Sequence, residues 1–368
     1  MRVRSVGALL LTAGLAASLS GTPAARAVVT GADAGAAPTT LGALAFGPGN
    51  VLFAADPQAA AIYALDLGTA KTAPGAADVA DLDKKVAAVL GTDAADVAIT
   101  DLAVHPRTHN VYLAAVRGKG ADAAPALVRL DGSGRLDVVA LNGLKYSSVA
   151  LPNAPSAAAP QSRRDPRTQS ITDMAFDDGR LIVAGLSNEE FASKLRSVKY
   201  PFSSMDAGTS VEIYHGSHGA VETRSPVYAF VPYTIGGTKE IVAGYLCTPL
   251  VRFPMASLTT AAPGTKVRGT TIAELGAGNR PIDMIAYSRD GKDYLLMSNT
   301  NRGVMKIPTA TFGSATGISS PISGTAGVPY ETVADLKNVE QLDKTDGNRV
   351  VVLAKADTGL SLRTLPLP

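Results

Sequence analysis

The stretch "EIYHGSHGAVET" (Glu212–Thr223) carries two of the four histidines, His215 and His218, in a 368-residue chain with a single cysteine, Cys247. Imidazole is the commonest metal ligand and a ready general base. Two imidazoles with a thiolate would make a soft-ligand set suited to copper, provided that all three reach one coordination sphere. A second set of candidates is acidic. Asp101, Asp173 and Asp283 each stand third in a run of similar pattern: "ITDLAVHPRTHNVYLAAVRG" (Ile99–Gly118), "ITDMAFDDGRLIVAGLSN" (Ile171–Asn188) and "PIDMIAYSRDGKDYLLMSNTN" (Pro281–Asn301). Aspartate carboxylates, with the amide oxygens of Asn188 and Asn301 at the ends of two runs, are hard ligands of the kind Ca²⁺ takes about six to eight of. Which of these groups can share a site depends on the elements that carry them.

The three runs are copies of one unit: a short strand opening with Asp, a polar turn, and a second apolar strand ending in small polar residues. Weaker copies are "TLGALAFGPGNVLFAADPQ" (Thr40–Gln58), "VYAFVPYTIGGTKEIVAGYLC" (Val227–Cys247) and "VEQLDKTDGNRVVVLAKAD" (Val339–Asp357). Each copy is followed by a further strand-like run: "AIYALDL", "PALVRLD", "VEIYHG", "LVRFPM", "GVMKIPT" and "LSLRTLP". Repeated small antiparallel sheets predict an all-β fold, a β-propeller over residues 39–368, with six blades and room for a degenerate seventh. Asp-Gly and Gly-Asn turns fit its hairpins. "DVADLDKKVAAVLGTDAADV" (Asp78–Val97) breaks the pattern, with Leu82, Val86, Val89 and Leu90 on one face and Gly91 as a stop. It predicts a short helix inserted between the first two blades.

Propeller geometry then sorts the candidates. The start of each innermost strand and the end of the second lie on one face, here the top, around the channel mouth. Asp101, Asp173 and Asp283 are expected there, with Asn188, Cys247, Asn301 and Asp357. Glu189, Arg280 and Arg302 fall on the same face. The long connections Leu151–Ser170 and Asn188–Ser210 are expected to cover it, since loops of that length are uncommon without a function. His105 and His109 fall in a bottom turn. "VEIYH" and "AVET" read as the third and fourth strands of one blade, with "GSHG" as their turn. That places His215 and His218 on the bottom face, away from any metal. The aspartates have two readings: acceptors for backbone N–H groups of neighbouring blades, or a cation site, because like charges at one mouth call for a cation or for protonation. Cys247 is either an inert buried thiol or a thiolate activated by Arg280 and Arg302.

Other signals bound the setting. Arg2 and Arg4, an apolar Val6–Leu19 and "ARA" (Ala25–Ala27) read as a signal peptide over residues 1–27, followed by a flexible 28–38. The expected location is therefore secreted or periplasmic. A net charge of +2 without long basic runs argues against nucleic acid as a partner, and no later segment is apolar for long enough to span a membrane. Cys-x-x-Cys, phosphate-loop and nucleophile-elbow motifs are absent.

"RPIDMIAYSRDG" followed by "YLLMSN" resembles the blades of secreted six-bladed propellers: gluconolactonase and regucalcin-like proteins, strictosidine synthase-like proteins, NHL-repeat proteins and soluble quinoprotein sugar dehydrogenases. The lactonase-like members imply a divalent cation at the mouth, with Asp173, Asn188, Asp283 and Asn301 at comparable places and no matching Glu. The dehydrogenases imply a mouth histidine as base, and no histidine falls there. The leading expectation is a small ligand or a periplasmic protein bound at the mouth, with Asp101, Asn188, Glu189, Cys247, Arg280 and Arg302 around it and Ca²⁺ on Asp173, Asp283, Asn188 and Asn301. The alternative is a metal-assisted lactone or ester hydrolase. A copper or redox protein using Cys247 stands third.

Overall fold

A computed structural model describes residues 29–30, 37–69, 73–157, 165–247, 249–260, 264–345 and 348–368. The expected signal peptide lies outside them, as do residues 158–164 of the Leu151–Ser170 connection. Six sheets, antiparallel except where Lys266–Arg268 adds in parallel to Thr209–His215, form a ring, a six-bladed β-propeller. The second strand of each blade is a nearly continuous apolar run, such as Val51–Asp56 or Arg180–Leu186. These strands are covered on both faces by the adjoining blades, so alternation disappears. Hairpins turn on pairs that tolerate positive φ: Asp178-Gly179 (49° and 73°) and Asp290-Gly291 (50° and 70°).

Numbered round the ring, blade 1 holds Leu44–Phe46, Val51–Asp56, Ala61–Asp66 and Lys145–Ala150. Blade 2 holds Asp173–Asp177, Arg180–Leu186, Ser193–Lys199 and Thr209–His215, and blade 3 holds Val227–Ile235, Thr238–Tyr245, Pro249–Pro254 and Thr270–Leu275. Blade 4 holds Pro281–Arg289, Lys292–Asn299, Gly303–Pro308 and Glu331–Thr332; blade 5 holds Val339–Lys344, Arg349–Ala356 and Gly359–Pro366. Blade 6, between blades 5 and 1, holds Val97–Val104, Val111–Arg117, Ala124–Leu130 and Leu136–Val139.

Chain order and ring order therefore differ. After three strands of blade 1 the chain builds all of blade 6, then returns to lay Lys145–Ala150 along Ala61–Asp66, and only then enters blade 2. On the way out, Asn110 Nδ2 donates to the carbonyls of Ala73 (2.7 Å) and Gly75 (3.2 Å), and Val79 bridges Leu362 at the outer edge of blade 5. The helix Leu82–Leu90, with Gly91 as its left-handed stop, follows and packs against blades 5 and 6. The helix is as expected.

One strand assignment is corrected. Ser193–Lys199 is the third strand of blade 2, not part of a lid, so Thr209–His215 is the fourth strand. Its charges hid it. Lys194 is buried but ion-paired to Glu189 at 2.6 Å, and Arg196 is buried within the sheet.

Neighbouring blades are joined by carboxylates. The backbone N–H groups of Leu44, Phe230, Leu342 and Val104 donate to Asp101 (2.6 Å), Asp173 (2.7 Å), Asp283 (2.9 Å) and Asp343 (2.8 Å), each on the preceding blade. Burial and, at Asp101, Asp173 and Asp283, repulsion from a neighbouring aspartate push the carboxyls up, while their backbone bonds oppose the shift. Burial wins and raises all four, Asp283 to about 7 and Asp343 to about 6, although the channel leaves each residue partly open to water. Between the unfolded carboxyl value near 4 and these raised values, the folded state holds the extra protons, so rising pH removes stability. Thermal unfolding should therefore show a lower melting temperature at pH ~8 than at pH ~5.5, and Asp283→Asn should flatten that slope. A slope unchanged by the substitution would show that these groups are not its source.

Candidate functional site

The mouth is shaped by a repeated irregularity. Pairing of the two inner strands slips between Ile99 and Asp101, Val227 and Ala229, Pro281 and Asp283, and Val339 and Gln341. A bulge of this kind leaves one residue unpaired and re-aims its side chain. Three of the four unpaired residues, Thr100, Tyr228 and Ile282, joined by Thr172 and Gln341, line a top-face cavity of about 780 Å³. Thr168, Gln169, Cys247, Asn279, Arg280 and Thr300 complete its polar wall. No Asp or Glu lines it among the described residues.

Arg280 is the cation of this cavity. Its guanidinium lies 5.2 Å from the centre of the Tyr228 ring, a cation–π contact, and its backbone N–H donates to the Thr300 hydroxyl at 3.1 Å. Asn279 ties the turn together: its backbone carbonyl accepts from Cys247 N–H at 2.7 Å and its side-chain oxygen from Asn301 N–H at 2.9 Å. Asn301 returns a bond to the Gly278 carbonyl at 2.6 Å, and Arg302 reaches the Ala277 carbonyl at 3.4 Å. Both are buttresses of the Arg280 turn and not part of the cavity wall.

The aspartates sit lower than expected. Asp101, Asp173, Asp283 and Asp343 line a second channel cavity of about 420 Å³, because each follows the mouth-lining bulge position or lies further down its strand. Asn188 and Asn301 do not line it. Asn188 donates its N–H to Asn153 at 2.8 Å on top of blade 2, beside Glu189, whose carboxylate is held by Lys194. The structure thus brings Asp101, Asp173 and Asp283 together, and Cys247 with Arg280, and sets Asn188, Glu189, Asn301 and Arg302 apart from both groups.

The histidines are the largest correction. With Thr209–His215 as a fourth strand, its end points to the top face, as does the turn holding Cys247 between the second and third strands of blade 3. His215 is 1% exposed, His218 follows in a short 3-10 turn, and nitrogens of both rings lie with Cys247 Sγ within 4.8 Å of one another. The rings approach to 3.9 Å between centroids. His218 Nδ1 hydrogen-bonds Glu222 Oε1 at 2.5 Å; His215 Nδ1 lies 3.0 Å from the same oxygen without hydrogen-bond alignment, and its Nε2 has no partner. Burial works against the Glu222 charge, but the two imidazoles outweigh it and hold the carboxyl below its ordinary range. Glu274, at the end of blade 3, accepts Gly216 N–H at 2.5 Å and is shifted upward by burial. Glu222, Glu274, Tyr228 and Asp343 were not singled out from the sequence. Counting four strands in every blade would have turned His215 upward, and Glu222 lies opposite Ile213 in the pairing that follows.

No protein-family model matches the chain, and no curated protein matches it. Solved structures do, at low identity. They include the extracellular domain described as part of a one-component system of B. thetaiotaomicron (10% identity, TM-score 0.34, covering 88% of this chain and 32% of that one). Others are a protein of Thermus thermophilus described as a glucose dehydrogenase (13%, TM-score 0.37, 92% and 99%) and the PQQ-bound aldose sugar dehydrogenase of Streptomyces coelicolor (13%, TM-score 0.29, 92% and 96%). The chain spans about a third of the first of these.

Cys247 is held at φ 61°, a left-handed conformation that costs a non-glycine residue about 1–2 kcal/mol. Cys247→Gly should therefore leave the melting temperature of the metal-free protein unchanged or raise it. A clear fall in melting temperature would mark the side chain as ordinary core packing.

Proposed function

We propose that the chain is an exported binding propeller whose channel mouth takes a small polar ligand bearing an anionic group. The observation that carries this reading is the pairing of a 780 Å³ cavity with one cation, Arg280, and no acidic residue among its described lining. The volume suits a small molecule. Threonine, glutamine and asparagine side chains supply hydrogen bonds to a polar body, and the Tyr228 face holds the guanidinium in place. A lactone or ester hydrolase has less support, because among the described residues no carboxylate or imidazole lines this wall to hold a cation or move a proton.

Ca²⁺ has its best case in the lower cavity. There the repulsion among Asp101, Asp173 and Asp283 is a standing cost that a cation would offset. If it binds, added Ca²⁺ raises the melting temperature, and Asp173→Asn removes most of that rise. An equal loss of stability in the variant with and without Ca²⁺ assigns Asp173 to holding blades together only.

A thermal-shift panel of carboxylate- and phosphate-bearing sugars, with their neutral parents as controls, tests the mouth. Arg280→Ala should weaken binding of the anionic members by ~tenfold or more, the scale of one charge-assisted hydrogen bond, and leave the neutral members unaffected. Binding of none of the anionic members, or binding indifferent to Arg280, would overturn the reading.

A further inference from the structure

We infer that His215, His218 and Cys247 form a site for one thiophilic or borderline transition-metal ion, zinc or copper, at the top of the junction between blades 2 and 3. This does not rest on the mouth ligand. Three separate elements converge there: the end of a fourth strand, the turn after it, and the turn between two strands of the next blade. Chain neighbourhood explains His215 beside His218, but not Cys247, 29 residues beyond His218 and on another sheet.

His215 is the strongest indicator. It is 1% exposed, and neither ring nitrogen has a hydrogen bond. A buried polar group without a partner is costly, and a ring nitrogen bound to a metal removes that cost. Glu222 supplies what such a site needs around it, a carboxylate that hydrogen-bonds His218 Nδ1 and fixes that ring, with the same oxygen 3.0 Å from His215 Nδ1. Glu274 braces the turn through Gly216 N–H and keeps a second buried oxygen without a hydrogen bond. Cys247 is held in a disfavoured backbone conformation, as residues at functional sites often are.

The donor set narrows the ion. A thiolate with two imidazoles suits zinc or copper and not Ca²⁺ or Mg²⁺. Donors round a tetrahedral zinc lie about 3.3–3.6 Å apart, given its bond lengths, so the 4.8 Å spread needs only a modest side-chain contraction. Binding converts the thiol to a metal-bound thiolate and releases one proton; no electron is transferred.

Cys247 is the only thiol in the chain, so its reactivity reports the site directly. Chelator-stripped protein would be titrated with a thiol reagent, alone and with one equivalent of Zn²⁺, Cu⁺ or Ca²⁺. Zn²⁺ or Cu⁺ should slow modification by ~tenfold or more, as capture of the thiolate requires, with Ca²⁺ inert and the chelator restoring the rate. Co²⁺ should give a thiolate charge-transfer band, absent in Cys247→Ser and weakened in His215→Ala and His218→Ala. Competition between Zn²⁺ and Cu⁺ identifies the ion. Unchanged thiol reactivity with either ion overturns the proposal, and this arm uses unaltered protein and so does not depend on the variants folding. Metal binding that persists in Cys247→Ser and in both histidine variants also overturns it.

Discussion

Six twisted sheets can press their apolar faces together in many relative positions. The bond that selects one is the carboxylate of an inner strand accepting a backbone N–H from the next blade. Four junctions use it, through Asp101, Asp173, Asp283 and Asp343. Each bond contributes about 0.5–1.5 kcal/mol, the scale for an acceptor that burial pushes towards its neutral form, against the cost of gathering four carboxyls round one channel. Thr100 and Thr172 add hydroxyl bonds to the carbonyls of Leu41 and Val227 at two of the same junctions. Ala43 and Ala229 stand where the other two junctions would carry the acid. Between blades 1 and 2 an aromatic cluster of Phe53, Phe176, Tyr200 and Phe202 takes its place. Between blades 3 and 4 the Tyr233 hydroxyl reaches Asp293 at 3.0 Å and Thr309 at 2.8 Å.

Committing the aspartates to these junctions also partitions the channel. Acidic groups lie in the lower cavity, and the residues just before three of them, turned inward, give the mouth a neutral, hydrogen-bonding wall. Arg280 then acts without a carboxylate neighbour on that wall. Cys247 belongs to two settings at once, the rim of the mouth and the histidine pair behind it. A ligand in the cavity and an ion on the thiolate would therefore sense each other across one side chain.

The blades were legible because their second strands are nearly continuous apolar runs and their hairpins carry Asp-Gly or Gly-Asn pairs. The bonding role of the aspartates was legible as one of two readings, since repetition at a strand start suggests a repeated contact. Asp343 escaped notice because it stands two residues later than its counterparts, with Gln341 in their place. The strand Ser193–Lys199 escaped for a different reason. Lys194 and Arg196 look like solvent-facing charges, and only the fold shows that both are enclosed. That omission reversed the direction of the strand ending at His215 and sent the histidines to the wrong face. Local pattern identifies strands well, but which end of the molecule a side chain reaches depends on counting every strand before it.

The return of Lys145–Ala150 to blade 1 has an evolutionary consequence. Repeat proteins gain and lose units readily when each unit is one continuous piece of chain touching only its neighbours. Blades 2, 3 and 4 satisfy that description, apart from added edge strands. Blades 1 and 6 do not, because the whole of blade 6 is nested between the third and fourth strands of blade 1, while Val79, from the same excursion, closes blade 5. Duplicating or deleting either gene segment would leave a sheet without its edge. In this half of the ring, blade number is locked, and descent can proceed by substitution but not by copying.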